Sequence, residues 1–137
     1  MFGLQLDERR IAGTDSLSSL NIADPPSSQQ DWAKLLWRQI QHIGQVLDKA
    51  ELPAWDITTL GTDFDGVIKP MGKYFTAEEL PSLEKNVLPH AKKYMKDNSL
   101  QLDANKNALP EEIIDKVFRG NALRFFKRYL KDENAIV

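Results

Sequence analysis

The segment Trp55-Asp56-Ile57-Thr58-Thr59-Leu60-Gly61-Thr62-Asp63-Phe64-Asp65-Gly66 determines how the rest of the sequence is interpreted. Its first part, Trp55 to Thr62, contains β-branched and apolar residues that favour an extended backbone. Two aspartates and a glycine follow directly, a composition typical of a turn or of a site at the end of a strand. We therefore predict a strand over residues 55–62 whose carboxyl end presents Asp63 and Asp65.

The residues before this strand predict another strand and a long connecting helix. Phe2, Leu4 and Leu6 alternate with small or polar residues, the period of two expected of a strand with one buried face. From Gln29 to Ala50, apolar residues recur at steps of three and four and therefore share one helix face. A strand, a helix and a second strand form a βαβ unit with parallel strands, which we assign to residues 1–66.

Residues 67–137 carry helical patterns and complete the same segment. Pro81 and Pro89 are expected to divide the stretch that follows into short or kinked helices, because each proline removes a backbone donor. Gly120 is expected to end the next helix and Asn121 to cap the last one. The predicted fold class is α/β, mostly helical, with about two short parallel strands.

Composition and charge exclude several classes of protein. The 137 residues include no cysteine, which excludes disulfide scaffolds and cysteine-ligated metal sites. Lys and Arg number 18 against 20 Asp and Glu, and the basic residues form no tract, so nucleic acid is not expected as a partner. No apolar run approaches the roughly 20 residues needed to cross a bilayer, so we expect no membrane segment in this chain.

Asp63 and Asp65 are the residues for which the sequence indicates chemistry. Parallel α/β folds hold reactive groups at the carboxyl ends of strands, because the strand aims the side chain and the following loop meets the ligand. Two positions apart on extended backbone, the two carboxylates point to the same side, and close carboxylates acquire the separated pKa values that acid–base work or metal binding requires. In the alternative interpretation, both accept backbone N–H bonds in a turn ahead of Gly66. Spacing alone leaves both interpretations open.

Three motifs in this order give the sequence a resemblance to a known family. Gly61-Thr62-Asp63-Phe64-Asp65-Gly66 follows an apolar strand, Gln41-His42-Ile43 precedes it on a helix, and Arg119-Gly120-Asn121-Ala122-Leu123-Arg124-Phe125-Phe126 follows much later. Over about residues 32–130, the chain resembles the closing part of the membrane dipeptidase (renal dipeptidase) family of zinc peptidases. In that family a GSDFDG-type segment closes the last barrel strand, and a GNxLR-type helix covers the barrel.

The resemblance implies the carboxyl-terminal part of a (β/α)₈ TIM-type barrel, belonging to an amidohydrolase-like metallopeptidase that hydrolyses dipeptides. Two zinc ions in the family activate a bridging water and polarise the peptide carbonyl. Asp63 is similar by position to the acidic residue at the end of the eighth strand, which implies a catalytic proton shuttle and an anchor for the free amino group of the substrate. Asp65 is implied to lie beside the substrate and to shape the loop. Phe2 to Asp7 is then the seventh strand.

The chain departs from this family in its metal ligands. The family holds zinc through an HxD pair, a glutamate and two later histidines, whereas this chain contains two histidines, His42 and His90, and no HxD. Neither histidine matches a ligand position, so we predict two zinc ions in a full-length parent and none bound by this chain alone. Because such a barrel needs about 250 residues, we expect the chain to be part of a longer protein and to be inactive by itself.

The alternative function is a non-catalytic helical protein-interaction domain, in which DFDG is a turn and the apolar helix faces bind a partner. Trp32, Trp37, Phe125, Phe126 and Tyr129 recur at helical spacing and are expected in the core. An isolated fragment exposes the faces that neighbouring barrel strands cover, and exposed apolar patches drive association. We therefore expect the isolated chain to associate with itself.

Overall fold

In the part of the chain that the structure describes, two short parallel strands and a series of helices make up the fold. The computed structural model describes residues 1–12, 20–22, 26–64, 66, 69–72 and 74–130. None of the helices in these ranges is both long enough and apolar enough to cross a membrane. The elements in chain order are β1 (Phe2–Gln5), α1 (Glu8–Ile11), α2 (Gln29–Lys49), β2 (Thr58–Gly61), a 3₁₀ turn (Ala77–Glu79), α3 (Leu80–Lys96), α4 (Asp103–Lys106), α5 (Pro110–Asp115), a π-helical turn (Lys116–Gly120) and α6 (Asn121–Tyr129).

The prediction of a mostly helical α/β arrangement with two short parallel strands is confirmed. Strand β1 pairs with β2 in parallel, with Phe2 opposite Thr58 and Gln5 opposite Gly61, so both strands end at the same edge of the sheet. The backbone N–H of Phe2 donates to the carbonyl oxygen of Ile57 at 2.6 Å. Each strand has four residues and is shorter than predicted.

Strand β1 ends at Gln5 because the next residues pair elsewhere. The carbonyl oxygen of Leu6 accepts the N–H of Met71 at 2.8 Å, and Asp7 forms an antiparallel bridge with Pro70. Asp7 is also the residue before α1, and its carboxylate accepts the backbone N–H of Arg9 at 3.0 Å. The predicted continuation of the strand to Asp7 was therefore wrong.

Helix α2 supplies one long side of the core. Its start is fixed by a capping box, in which the Ser28 hydroxyl accepts the Asp31 N–H and the Asp31 carboxylate accepts the Ser28 N–H, both at 3.1 Å. Most of the predicted apolar face is buried, and α2 packs against α3 and α1. The shared core includes Trp32, Leu36, Ile40, Leu83, Val87, Ile113 and Val117.

Helix α3 spans the stretch that two prolines were expected to divide. Pro81 lies in its first turn, where a missing N–H costs little, and Pro89 lies in its interior. The helix continues through Pro89 because Leu83, Val87 and Ala91 on one face are fully buried in the core. That burial offsets the cost of an interior proline, about 3 kcal/mol. The prediction of short separate helices was therefore wrong, while a kink at Pro89 stays a prediction.

The expected stop at Gly120 and cap at Asn121 were also wrong. Gly120 has helical backbone angles, φ −59° and ψ −43°, and the π-helical turn passes directly into α6. The side chain of Asn121 is buried, and its Nδ2 donates to the carbonyl oxygens of Trp55 at 2.9 Å and Thr58 at 2.7 Å. The amide therefore secures the beginning of β2 and does not cap a helix.

Candidate functional site

Asp63 lies two residues beyond β2, at the carboxyl edge of the sheet, and is exposed. Its φ of 52° is in the left-handed region, which aspartate tolerates better than most residues. The chain turns sharply there, and the N–H of Gly66 donates to the carbonyl oxygen of Asp63 at 3.0 Å. The turn thus leaves the carboxylate at the end of the strand and outside the core.

Gln5, the last residue of β1, holds the Asp63 carboxylate. Its side-chain Nε2 donates to Oδ2 of Asp63 at 2.8 Å. The two neighbouring strands therefore each contribute one polar side chain to the same point. Gln5 was not among the residues predicted from the sequence, although it lies near the end of the predicted first strand, and parallel strands share their carboxyl edge.

The turn expected in the alternative interpretation is present, but the N–H of Gly66 donates to the backbone carbonyl oxygen of Asp63 and not to its carboxylate. The hydrogen bond to the Asp63 carboxylate comes from the side chain of Gln5 on the neighbouring strand. Within the described residues, Oδ1 of Asp63 has no hydrogen-bond partner. Asp65 lies outside the described residues, so its predicted place beside the substrate stays a prediction.

Gly66 allows the close approach of this carboxylate. A Cβ atom at position 66 would lie 2.0 Å from Oδ1 and 2.5 Å from Cγ of Asp63. Any side chain at this position would therefore push the carboxylate away from Gln5. The glycine of the DFDG motif thus has a steric role at the site.

Asp63 borders a depression large enough for a small molecule. Its volume is about 550 Å³, and its lining combines one acid with two hydroxyl groups and two aromatic rings. Phe75 at one side is more than half exposed. The lining residues are Thr62, Asp63, Phe64, Gly66, Phe75, Thr76 and Ala77.

An ion pair fixes the chain just beyond Gln5. The guanidinium group of Arg9 donates to both carboxylate oxygens of Asp7, at 2.9 Å from Nε to Oδ1 and 2.5 Å from Nη2 to Oδ2. This hydrogen bonding lowers the pKa of Asp7 below its ordinary value, against the opposing effect of burial. The neighbouring Glu8 forms a second ion pair with Lys69. Asp7 is therefore ionised at neutral pH and holds the start of α1.

The described residues do not fit a two-zinc site. They contain no group of three or more His, Asp or Glu side chains able to hold one metal ion. His42 is exposed on α2 and His90 is half-buried on α3, so both lie on helices and neither follows a strand. Any zinc ligands of the kind found in membrane dipeptidases must therefore come from outside these residues.

Comparisons of the chain with family models, with curated proteins and with solved structures found no match. The resemblance to membrane dipeptidases therefore rests on the sequence motifs alone. Their residues have distinct positions in the fold: Asp63 lies at the sheet edge, whereas Asn121 secures β2 from the last helix.

Proposed function

We propose that this chain is the carboxyl-terminal segment of a membrane-dipeptidase-like metallopeptidase in which Asp63 is a catalytic residue. The observation that carries the proposal is the position of Asp63, exposed at the shared carboxyl edge of two parallel strands and hydrogen-bonded to Gln5. Parallel α/β enzymes place their reactive groups at this edge. The GTDFDG motif supplies the reaction class, the hydrolysis of dipeptides.

The free edge of β1 supports the proposal of a barrel segment. In a parallel pair, alternate residues of each strand point their backbone N–H and C=O groups to the partner strand. Phe2 bonds to β2 in this way, and Leu4 follows it. The backbone groups of Gly3 and Gln5 therefore point to the opposite edge. Within the described ranges, no strand pairs with that edge. A sheet of two strands is marginal on its own, and a further barrel strand would pair with β1 here.

Asp63 performs two tasks in this proposal. Its ionised carboxylate binds the ammonium group of a dipeptide through charge-assisted hydrogen bonds. It also accepts a proton from the attacking water and returns it to the leaving amine, as a general base and then a general acid. Gln5 holds Oδ2, which leaves Oδ1 without a hydrogen-bond partner among the described residues and available to a substrate, and Asp65 is proposed to lie beside it.

The test uses the longer protein that contains this chain. Asp63→Asn should lower kcat for dipeptide hydrolysis about 100-fold or more, because the amide cannot shuttle a proton. Zinc content and the unfolding temperature should stay the same, since the side chain is exposed and is not a metal ligand in this proposal. The matched control is Asp103→Asn, at an exposed aspartate of α4, which should keep full activity.

Unchanged turnover in Asp63→Asn would reject the assignment of this residue. The reading frame upstream of Met1 tests the proposal separately. Codons for an HxD pair and further histidines support a zinc peptidase, whereas an upstream sequence without them contradicts it.

An exposed aromatic face on α6 favours a second candidate function, a helical protein-interaction domain. Trp32 and Trp37 are buried as expected, but Phe125, Phe126 and Tyr129 are 40%, 50% and 58% exposed, so their predicted place in the core was wrong. The rings of Phe125 and Tyr129 lie 4.7 Å apart and form one patch. Such a patch supports the prediction that the isolated chain associates with itself, and a monomer in light scattering at high concentration would contradict it.

A further inference from the structure

The groove between α2 and α3 contains a concentration of positive charge that the proposed function does not use. Lys34 and Arg38 line it from α2 and Lys93 lines it from α3, while Asp97 is the acid in its lining. The formal net charge of the whole chain is −2, so composition alone does not produce this cluster. The groove has a volume of about 370 Å³, within the range of small-molecule sites.

Carboxylates of the described residues do not neutralise these three cations. The ion pairs found among the described residues involve other basic residues, namely Arg9, Lys69, Lys92, Lys116 and Arg119. Lys34 is held at the wall of the groove by a hydrogen bond from Nζ to the carbonyl oxygen of Leu20 at 2.6 Å. Like charges held close together repel one another, and an anion in the groove would remove that repulsion.

Among the residues that the structure describes, two buried nitrogen atoms of the same lining have no hydrogen-bond partner. Trp37 is 4% exposed and its indole N–H is unpaired, and Nε2 of His90 is buried and unpaired as well. Burial lowers the pKa of His90, and the positive charges of Lys34 and Lys93 lower it further. Buried polar groups are rarely left unpaired in folded proteins, so these atoms are candidate contacts for a polar ligand.

We propose that this groove binds a small molecule through a phosphate group. Three cations and one carboxylate give the lining a formal charge of +2, which matches the charge of about −1.5 to −2 on a phosphate ester at pH 7. In this proposal the unpaired N–H of Trp37 is a neutral donor, and Leu20 and the ring of Tyr94 provide apolar surface for the organic part of the ligand. The groove shares no lining residue with the depression beside Asp63, so this proposal does not depend on the peptidase function.

Titration of the ¹⁵N-labelled chain with inorganic phosphate tests the proposal. The indole N–H signal of Trp37 should shift and saturate at constant ionic strength. The indole signal of Trp55, whose N–H donates to the carbonyl oxygen of Asn105 at 3.0 Å, should not move. Acetate, with a single charge, should bind at least about tenfold more weakly, since the attraction scales with charge. A titration that does not saturate, or equal binding of acetate and phosphate, would overturn the phosphate assignment.

Charge-removing variants locate the site. Arg38→Gln and Lys93→Gln should each weaken phosphate binding about fivefold or more, because two opposite unit charges about 4 Å apart in water account for about fivefold and phosphate carries more than one charge. Lys49→Gln removes the same charge from the end of α2 outside the groove and should leave the affinity unchanged. All three side chains are exposed, so folding should be preserved and can be verified by circular dichroism. An equal loss in Lys49→Gln, or no loss in the groove variants, would show that the groove is not the site.

Discussion

Asn121 connects the last helix to the strand that carries the candidate site, and Asn121→Ala tests this connection. The substitution leaves the carbonyl oxygens of Trp55 and Thr58 without the donor that now lies 2.9 and 2.7 Å away. Two buried hydrogen bonds at about 1 to 1.5 kcal/mol each predict a loss of about 2 to 3 kcal/mol. Alanine has a higher helix propensity than asparagine and stabilises the helix by a few tenths of a kcal/mol. The net fall in the free energy of unfolding should therefore be about 2 kcal/mol.

Thermal and urea unfolding followed by circular dichroism measure this change. For a chain of this length, a loss of about 2 kcal/mol corresponds to a fall in Tm of about 6 to 10 °C. The matched control is Asn107→Ala, at an exposed asparagine, which should change the free energy of unfolding by less than about 0.5 kcal/mol. Asn121→Asp should destabilise at least as much as Asn121→Ala, because an ionised carboxylate cannot donate to two carbonyl groups. If Asn121→Ala behaves like the control, the amide does not hold β2.

Two further predictions concern a buried acid and the glycine beside Asp63. The buried Asp48 carboxylate accepts hydrogen bonds from Asn105 and from the backbone N–H groups of residues 101–102; burial raises its pKa, but these bonds together leave the pKa below the ordinary 3.8. Because the pKa is lower in the folded state, the ionised carboxylate stabilises the fold above about pH 4, and this stabilisation is lost as the pH falls through the folded pKa. Urea unfolding of Asp48→Asn should therefore depend less on pH below pH 4 than that of the unsubstituted chain. An identical pH profile for the two proteins would contradict this. Under the proposed function, Gly66→Ala should displace the Asp63 carboxylate and lower dipeptide hydrolysis by the proposed longer protein about tenfold. Tm should change by less than about 2 °C, because a flexible exposed side chain can move away. Full activity in Gly66→Ala would show that the position of the carboxylate beside Gln5 is not needed.

Local sequence patterns predicted the parts of the fold that local interactions determine. The start of α2 at Gln29 was predicted from the apolar stripe, and the Ser28 cap found in the structure likewise acts within a few residues. Pro89 and Gly120 misled the prediction because their helix-breaking tendencies are local, whereas the contacts that override them are distant. Asn121 bonds to carbonyl groups 66 and 63 residues earlier in the chain, and no local pattern reports such a partner.

The candidate site likewise contains one residue that the sequence predicted and one that it did not. Asp63 was predicted from its place after an apolar run, but Gln5 lies 58 residues away and its role depends on where β1 ends. Had the strand continued to Asp7 as predicted, Gln5 would lie inside the sheet and not at its edge. The strand stops at Gln5 because Leu6 bonds to Met71, a tertiary contact that alternation in the sequence does not encode.

The two outer edges of the sheet set a condition on any barrel that contains this chain. The edge of β1 at Gly3 and Gln5 is free of strand partners within the described residues, so a preceding strand can pair there. The outward carbonyl of Thr58 on β2 is already bonded to Asn121, so a strand on that side must begin its pairing near Leu60 or displace the amide. If it displaces the amide, Asn121→Ala should destabilise the longer protein less than it destabilises the isolated chain. Equal losses in both would indicate that the last helix, and not another strand, covers the beginning of β2 in the proposed longer protein.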